Sequence, residues 1–327
     1  MKNLRIWMVV GPLVAMLIGT ASPVGAGAKL WELADPRGDD HGDGGLLYPT
    51  VGDFAKGELD VLSVVAEREG DGTEFAVTFA RPVRTPSRGA FDALGTPMDQ
   101  VFRFGFYTFN IDLYVDRDRQ PGSGGVSTLP GRKAQIAPEF AWDRAICLTP
   151  RPNEARELLS KIVLGAMTEV QKAEGSGGTP EQDAAVAELK KSVPADLETR
   201  VYFPNRVRVR GNTVSFFVPD SFLGAPASPD WGYLLVVTAA DIHQETGIGS
   251  VLGLREQQEA RLMNLPISPG SWRERLGGGR ENGALQPPVV DLLVPPGESQ
   301  ERLLRGWDAQ DERPVVLPGV VPAEIKP

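Results

Sequence analysis

Apolar and polar residues alternate along most of the chain, in short runs separated by turn-forming residues. A period of two is typical of β-strands with one buried face. It predicts strands over residues 59–68, 73–80, 101–115, 134–148 (a pair broken at Pro138), 201–210, 213–218 and 289–294. Asp71-Gly72 and Gly211-Asn212 are typical of tight hairpin turns. Residues 231–239 are continuously apolar, which predicts a central strand buried on both faces.

One stretch has helical periodicity instead. Between residues 153 and 173 apolar residues recur every three or four positions, and Asn153 is a candidate N-cap. After a Gly-rich break, Thr179, Pro180 and Gln182 have the spacing of a capping box with proline at the first helical position. The pattern predicts an all-β fold, a jelly-roll or lectin-like β-sandwich, with a helical hairpin inserted at about 153–193. This hairpin either covers one sheet face or docks a protein partner.

Residues 1–28 are typical of a secretory signal peptide. Lys2 and Arg5 precede an apolar run over residues 6–18, and small residues at 26–28 form a cleavage site. A membrane anchor is the alternative, although the run is shorter than the roughly 20 residues of a spanning helix. We therefore predict export to the periplasm, cell surface or medium, without membrane insertion after cleavage. Residues 29–327 are expected to form one domain, ending in a short helix over 298–305 and an extended tail.

Charge and composition narrow the classes of function. The formal net charge is −9, and it becomes −11 once Lys2 and Arg5 are removed with the signal peptide. Such an acidic chain is a poor partner for nucleic acid. The two histidines and single cysteine argue against a zinc finger, a disulfide scaffold or a Cys/His protease. Cys147 is expected to be a small buried hydrophobe.

The strongest local signal for chemistry is an acidic, glycine-rich loop. It contains Asp35, Asp39, Asp40 and Asp43 within nine residues. These carboxylates repel one another unless they are solvated or bridged by a cation. Ca²⁺ takes six to eight oxygen ligands from carboxylates, carbonyls and water, and such a loop supplies them. We expect the four aspartates to hold a structural Ca²⁺, and a solvated loop is the alternative.

The same region carries a family resemblance. The motif Asp-Pro-x-Gly-Asp-Asp-x-Gly at residues 35–42, followed by Tyr48, Pro49 and Thr50, resembles the opening of the C-terminal module of glucodextranase. Later landmarks follow in the family's order at residues 111–116, 130–134, 140–142, 218–219, 223–224, 231–233, 275–279, 289–293 and 299–304. The chain departs from the family at residues 240–243, which replace an Asp-Gly-rich turn, and in its helical hairpin.

The resemblance implies a lectin-like, DOMON-like β-sandwich that binds carbohydrate or attaches to the cell surface. Modules of this family also occur in pullulanases and as stand-alone exported proteins, and the resemblance implies no catalytic activity. The implied partner is a polysaccharide or a cell-envelope glycan.

A sugar site needs exposed aromatic rings. Trp272 lies in a predicted loop and is the best candidate, while Trp142 and Trp231 lie in predicted strands, where core packing is the competing role. Asp112 belongs to a second acidic group, with Asp116 and Asp118, that suits a second Ca²⁺ or hydrogen bonds to a sugar.

The sequence offers little support for catalysis. A glycosidase needs two carboxylates flanking the scissile bond, and 43 acidic residues nominate no pair. The leading function is therefore an exported, non-catalytic carbohydrate-binding or cell-surface module stabilised by Ca²⁺. The alternatives are a structural envelope protein that docks a partner through its hairpin and, less favoured, a glycoside hydrolase.

Overall fold

Two five-stranded sheets face each other in the computed structural model, which describes residues 27–49, 54–86, 102, 104–174, 179–240, 276, 286–308 and 310–325. The strands are β1 (Lys29–Ala34), β2 (Val61–Glu69), β3 (Gly72–Phe79), β4 (Phe109–Asp116), β5 (Ala134–Ile136), β6 (Arg144–Leu148), β7 (Val201–Tyr202), β8 (Val207–Arg210), β9 (Thr213–Pro219), β10 (Gly232–Ala239), β11 (Val289–Leu292) and β12 (Val315–Leu317). The helices are α1 (Pro152–Glu174), α2 (Pro180–Arg200), α3 (Asp220–Leu223) and α4 (Gln300–Leu304), with 3₁₀ turns at Pro138–Phe140 and Pro322–Glu324.

The first sheet has the strand order β1-β2-β3-β9-β8 and is antiparallel throughout. The second sheet has the order β11-β10-β4-β6-β7, with β6 and β7 parallel. A small parallel pair joins β12 to β5. The described residues thus form a β-sandwich with an inserted helical hairpin, as predicted, while the finer jelly-roll assignment stays a prediction.

The two sheets differ in how they are buried. Strands of the first sheet alternate, as in β9, where Val214, Phe216 and Val218 are buried and the residues between them are partly exposed. The second sheet is covered on both faces, and all eight residues of β4 and of β10 are buried. Its inner face packs on the first sheet, and its outer face packs under α1, α4 and β12. This burial explains the unbroken apolar run of β10.

The helical hairpin attaches to the outer face of the second sheet through the start of α1 and the end of α2. Ala155, Leu158 and Leu159 are buried there, while Met167 and Val170 further along α1 are exposed. The Thr179 cap is confirmed, since its Oγ1 accepts a hydrogen bond from the Gln182 backbone N–H at 3.3 Å. The hairpin covers part of a sheet face, as one of its two predicted roles requires.

Several predicted boundaries were wrong. Asn153 lies inside α1 rather than at its N-cap, because Pro152 fits a first helical position, where no N–H is needed. Helix α2 continues through Pro194 to Arg200, seven residues beyond the predicted end of the hairpin. Residues 29–34, for which no strand was predicted, form β1 and bury Trp31 and Leu33 in the core.

Strand lengths also differ from the predictions. Of the predicted strand over 101–115, residues 104–108 are irregular and the strand begins at Phe109, the start of β4. The predicted strand over 201–210 is divided into β7 and β8. The first hairpin turns at Gly70 and Asp71, one residue earlier than expected, and Gly70 has a φ of 56°. Within the described ranges, no helix is both long and apolar enough to cross a membrane. The signal peptide prediction concerns residues that, except for 27 and 28, lie outside the described ones.

Candidate metal and carbohydrate sites

The acidic loop follows β1 and packs against β11 and the start of β2. Asp35, Asp39 and Asp291 each place a carboxylate oxygen within 4.8 Å of the others, and we call these three residues the Asp291 cluster. Asp35 and Asp39 come from the predicted loop, whereas Asp291 is fully buried in β11. The fold therefore brings together two of the four predicted ligands with a third from the far end of the chain.

Backbone donors position these carboxylates. Asp35 Oδ1 accepts from the Val294 N–H at 3.0 Å. Asp291 accepts from the N–H of Val61 at 2.5 Å and from that of Leu292 at 2.9 Å. Because Val61 begins β2 in the first sheet and Asp291 lies in the second, the Asp291 side chain links the two sheets.

Several carboxylate oxygens in this region are buried without a donor. Asp35 Oδ2 and Asp39 Oδ1 have no hydrogen-bond partner in the described part of the chain, and neither does Oδ1 of the neighbouring Asp60. An unmet buried oxygen carries a desolvation penalty. These oxygens are hard donors of the kind that Ca²⁺ prefers, so the residues fit a calcium ion.

The raised pKa values of Asp35, Asp39 and Asp291 show that ionised carboxylates are unfavourable in this cluster. Burial, with the charges of Asp39 and Asp60, raises the pKa of Asp35 to about 8, although the hydrogen bond from the Val294 N–H lowers it. Burial and the charges of Asp60 and Asp40 raise the pKa of Asp39 to about 6, although its own backbone N–H and His41 oppose the shift. Burial and the charges of Asp35 and Asp39 raise the pKa of Asp291 well above its ordinary value, although hydrogen bonds from the N–H groups of Val61 and Leu292 lower it. A bound divalent cation would remove this penalty by favouring the ionised forms.

The other two predicted ligands lie outside this cluster. Asp40 Oδ2 accepts from the Tyr48 hydroxyl and from the Gly57 N–H, while its Oδ1 is buried with no hydrogen-bond partner among the described residues. Asp43 accepts from the Gly45 N–H at 2.9 Å and from Gln286 Nε2 at 3.1 Å. Neither belongs to the Asp291 cluster, and the geometry favours a role for both in shaping the loop.

Asp112, predicted to contact sugar, lies in the interior instead. Arg132 Nε and Nη2 donate to its two carboxylate oxygens at 2.5 and 3.0 Å. Asp112 is 1% exposed and Arg132 is fully buried. The Tyr114 hydroxyl beside them accepts from the Leu129 N–H at 2.8 Å. This bidentate ion pair favours a structural role for Asp112.

The predicted tryptophans occupy three different settings. Trp142 is 8% exposed, donates from Nε1 to the Ser127 carbonyl at 2.9 Å and lies under the Arg200 guanidinium. Trp231 is partly exposed, directly before β10. Trp272 lies outside the described residues. Of the two described rings, Trp231 has more surface to offer a sugar.

A second group of carboxylates lies at the end of β4. Asp116, Asp118 and Asp143 place one oxygen each within 4.8 Å of the others, and we call them the Asp116 cluster. The predicted second acidic group contained Asp112 in place of Asp143. Asp143 was missed because it precedes β6 and is distant in sequence from the other two.

Comparison with known protein families gives a match over most of the chain. A family model described as the C-terminal binding module, SLH-like, of glucodextranase matches residues 30–319. The chain belongs to this family. The resemblance predicted from the opening motif is thereby confirmed, and the family is one of binding modules rather than catalytic domains. Among curated proteins, the search gives no match.

Proposed function

We propose that the chain is an exported, non-catalytic module that binds a polysaccharide or a cell-envelope glycan at the cell surface. The observation that carries this proposal is the family match over residues 30–319, which spans both sheets and the acidic loop. Membership of an SLH-like family supports association with the cell surface, and the acidic net charge suits a neutral glycan better than an anionic partner.

Trp231 is the first residue to test for sugar contact. Its ring is partly exposed and packs at the edge of the inter-sheet core, so one part is fixed while another is accessible. A fixed aromatic ring loses little conformational entropy when a sugar stacks on it.

The experiment is a glycan array followed by titration of the best glycan. We expect Trp231→Ala to weaken binding roughly two- to tenfold, since stacking on an aromatic ring contributes about 0.5–1.5 kcal/mol. Trp307→Ala, another partly buried tryptophan, is the matched control, and Trp272→Ala tests the remaining prediction. Failure of the wild type to bind any envelope glycan or α-glucan would contradict the proposed function.

The arrangement of acids supports a non-catalytic role. In both carboxylate clusters, oxygens gather within 4.8 Å and are anchored by backbone N–H groups. This geometry suits a cation better than two acids placed on opposite sides of a glycosidic bond. Release of reducing sugar from α-glucans by the purified chain would overturn this part of the proposal.

Ca²⁺ at the Asp291 cluster is proposed to stabilise the module. Asp35, Asp39 and Asp291 would hold the ion, with carbonyls of the glycine-rich loop and water completing its shell. Because these residues join β11 to the segment after β1, a bound ion would fasten the two sheets together.

The alternative function, docking of an envelope protein, has one supporting observation. Met167 and Val170 are 42% and 58% exposed on the part of α1 beyond its buried start. If the hairpin rather than the sandwich carries function, Met167→Lys with Val170→Lys will abolish surface retention. If the glycan is the anchor, the same variant will be retained like the wild type.

A further inference from the structure

The Asp116 cluster is built from two segments that the second sheet holds side by side. Asp116 ends β4 and Asp118 follows it, while Asp143 lies just before β6. The Asp143 N–H donates to the Val115 carbonyl at 2.9 Å, which fixes the two segments relative to each other.

Each carboxylate in the cluster has one oxygen engaged by the protein. Asp116 Oδ1 accepts from the Arg119 N–H at 2.8 Å, and Asp143 Oδ2 accepts from the Arg117 N–H at 2.8 Å. Asp118 Oδ1 accepts from the Gln120 N–H and from Ser123 Oγ, both at 2.9 Å. The carboxylates are therefore held in place by bonds that leave their second oxygens available.

The second oxygen of Asp116 is the observation that points to a ligand. Asp116 is 1% exposed, and its Oδ2 is buried with no hydrogen-bond partner among the described residues. Burying a carboxylate oxygen without a donor or a counterion is costly. Asp118, by contrast, is exposed, so the cluster has one buried side and one side open to solvent.

The nearby arginines compensate only part of the charge. Arg117 Nε lies 3.5 Å from Asp143 Oδ2. The Arg119 guanidinium instead stacks on the Phe140 ring and lies 3.4 Å from Glu324 Oε1. Arg144 Nη1 donates to the Asp143 backbone carbonyl at 3.0 Å, so a second guanidinium lies close to the Asp143 carboxylate. Even with both guanidiniums counted, the three carboxylates keep a net negative charge that favours a cation.

We propose that Asp116, Asp118 and Asp143 bind a Ca²⁺ ion, at a site separate from the Asp291 cluster. All three supply hard oxygen ligands, and the solvent-exposed side leaves room for water to complete the irregular, high coordination that Ca²⁺ accepts and Mg²⁺ does not. The exposed Asp118 gives the ion a path of entry.

The strand register places the two clusters apart. Asp116 pairs with Gly232 on β10, whereas Asp291 pairs with Val237 on the same strand. Five residues of strand at about 3.4 Å each separate these positions by roughly 17 Å. One ion cannot serve both clusters, so the two sites can be tested independently.

The test is a calorimetric titration of the purified chain with CaCl₂ after removal of metal with EDTA. The site variant is Asp118→Asn with Asp143→Asn, which keeps hydrogen-bond acceptors but removes two charges. Asp39→Asn removes a charge from the Asp291 cluster, and Asp311→Asn removes an exposed charge outside both clusters. Circular dichroism checks that each variant keeps its β-rich spectrum.

We expect the Asp118/Asp143 variant to lose one Ca²⁺ per chain, or to bind it about tenfold or more weakly, because ligand charge sets affinity. Asp311→Asn should bind like the wild type. If the Asp118/Asp143 variant binds as many ions as tightly as the wild type, the inference is overturned, whatever Asp39→Asn does. If only Asp39→Asn loses an ion, Ca²⁺ binds at the Asp291 cluster and the site proposed here is wrong. If only the Asp118/Asp143 variant loses an ion, Ca²⁺ binds at the Asp116 cluster and the Asp291 site is wrong.

Discussion

Replacement of Asp39 by Asn should stabilise the chain without Ca²⁺ and bring little or no net gain when Ca²⁺ is bound. Asp39 lies in the Asp291 cluster, where burial and the charges of Asp60 and Asp40 raise its pKa to about 6. At pH 8 and without metal, the wild-type carboxylate is ionised against those neighbours. Asn has the same shape and no charge, so the variant is expected to be more stable than the wild type in EDTA.

The size of this gain follows from the pKa. A shift from 3.8 to about 6 corresponds to roughly 3 kcal/mol, at about 1.36 kcal/mol per unit. Because Asp39 is partly exposed, solvent screening reduces the expected gain to about 1–2 kcal/mol.

Bound Ca²⁺ should stabilise the wild type more than the variant. At a hundredfold excess over the dissociation constant, binding stabilises the wild type by about 2.7 kcal/mol. Affinity about tenfold weaker in Asp39→Asn would leave an increment of about 1.4 kcal/mol. At about 2–4 °C per kcal/mol, Ca²⁺ should raise the Tm by about 5–10 °C for the wild type and about half as much for the variant.

Without metal, the stability of the chain should fall as the pH rises. The pKa values of Asp35 and Asp39 are about 8 and about 6, both above the unfolded value of 3.8. In EDTA, the stability linked to these groups is fully present below about pH 4 and is lost as pH rises through 6 and 8. Protons and Ca²⁺ compete for the same oxygens, so the Ca²⁺ increment should grow over that window. Identical melting curves in Ca²⁺ and EDTA at pH 8 would refute the site.

Two further predictions concern stability. Asp112→Ala should cost about 3–5 kcal/mol, because it removes the carboxylate counterion of the fully buried Arg132 guanidinium. Chemical denaturation measures this loss, and Asp112→Leu with Arg132→Met should recover much of it. Thr179→Ala should cost about 1 kcal/mol by removing the α2 cap, with the exposed Thr199→Ala as control. Equal unfolding midpoints for Thr179→Ala and the wild type would mean that the hairpin does not unfold with the sandwich.

Much of the fold could be predicted because local patterns agree with the tertiary structure. The unbroken apolar run of β10 indicated a strand buried on both faces, and the Thr179-Pro180 signal indicated the start of α2. Residues 104–108 were wrongly assigned to a strand, since aromatic residues that favour strands also pack in irregular segments, as Phe106 does in the inter-sheet core. Strand β1 was missed because the glycines and aspartates that follow it dominated the pattern of the whole segment.

The candidate sites could be predicted only where their residues are close in sequence. Asp35 and Asp39 share one loop and were found, but Asp291 follows them by some 250 positions and only the pairing of β11 with β10 brings it near. One signal was available, because a carboxylate in the apolar run over 289–293 needs a partner if the strand is buried. Asp112 gave the same signal, but the sequence could not show that Arg132 satisfies it.

Three fully buried aspartates of the second sheet explain why some acids fit a cation and others do not. Asp112 has the Arg132 guanidinium, so the protein itself supplies its counterion. Asp116 and Asp291 form no ion pair with a lysine or arginine in the described part of the chain, and both lie in carboxylate clusters that suit Ca²⁺. A sheet covered on both faces can keep an ionised aspartate only if a counterion comes with it. In the second sheet, an arginine therefore balances the charge of Asp112, and calcium is proposed to balance the charges of Asp116 and Asp291.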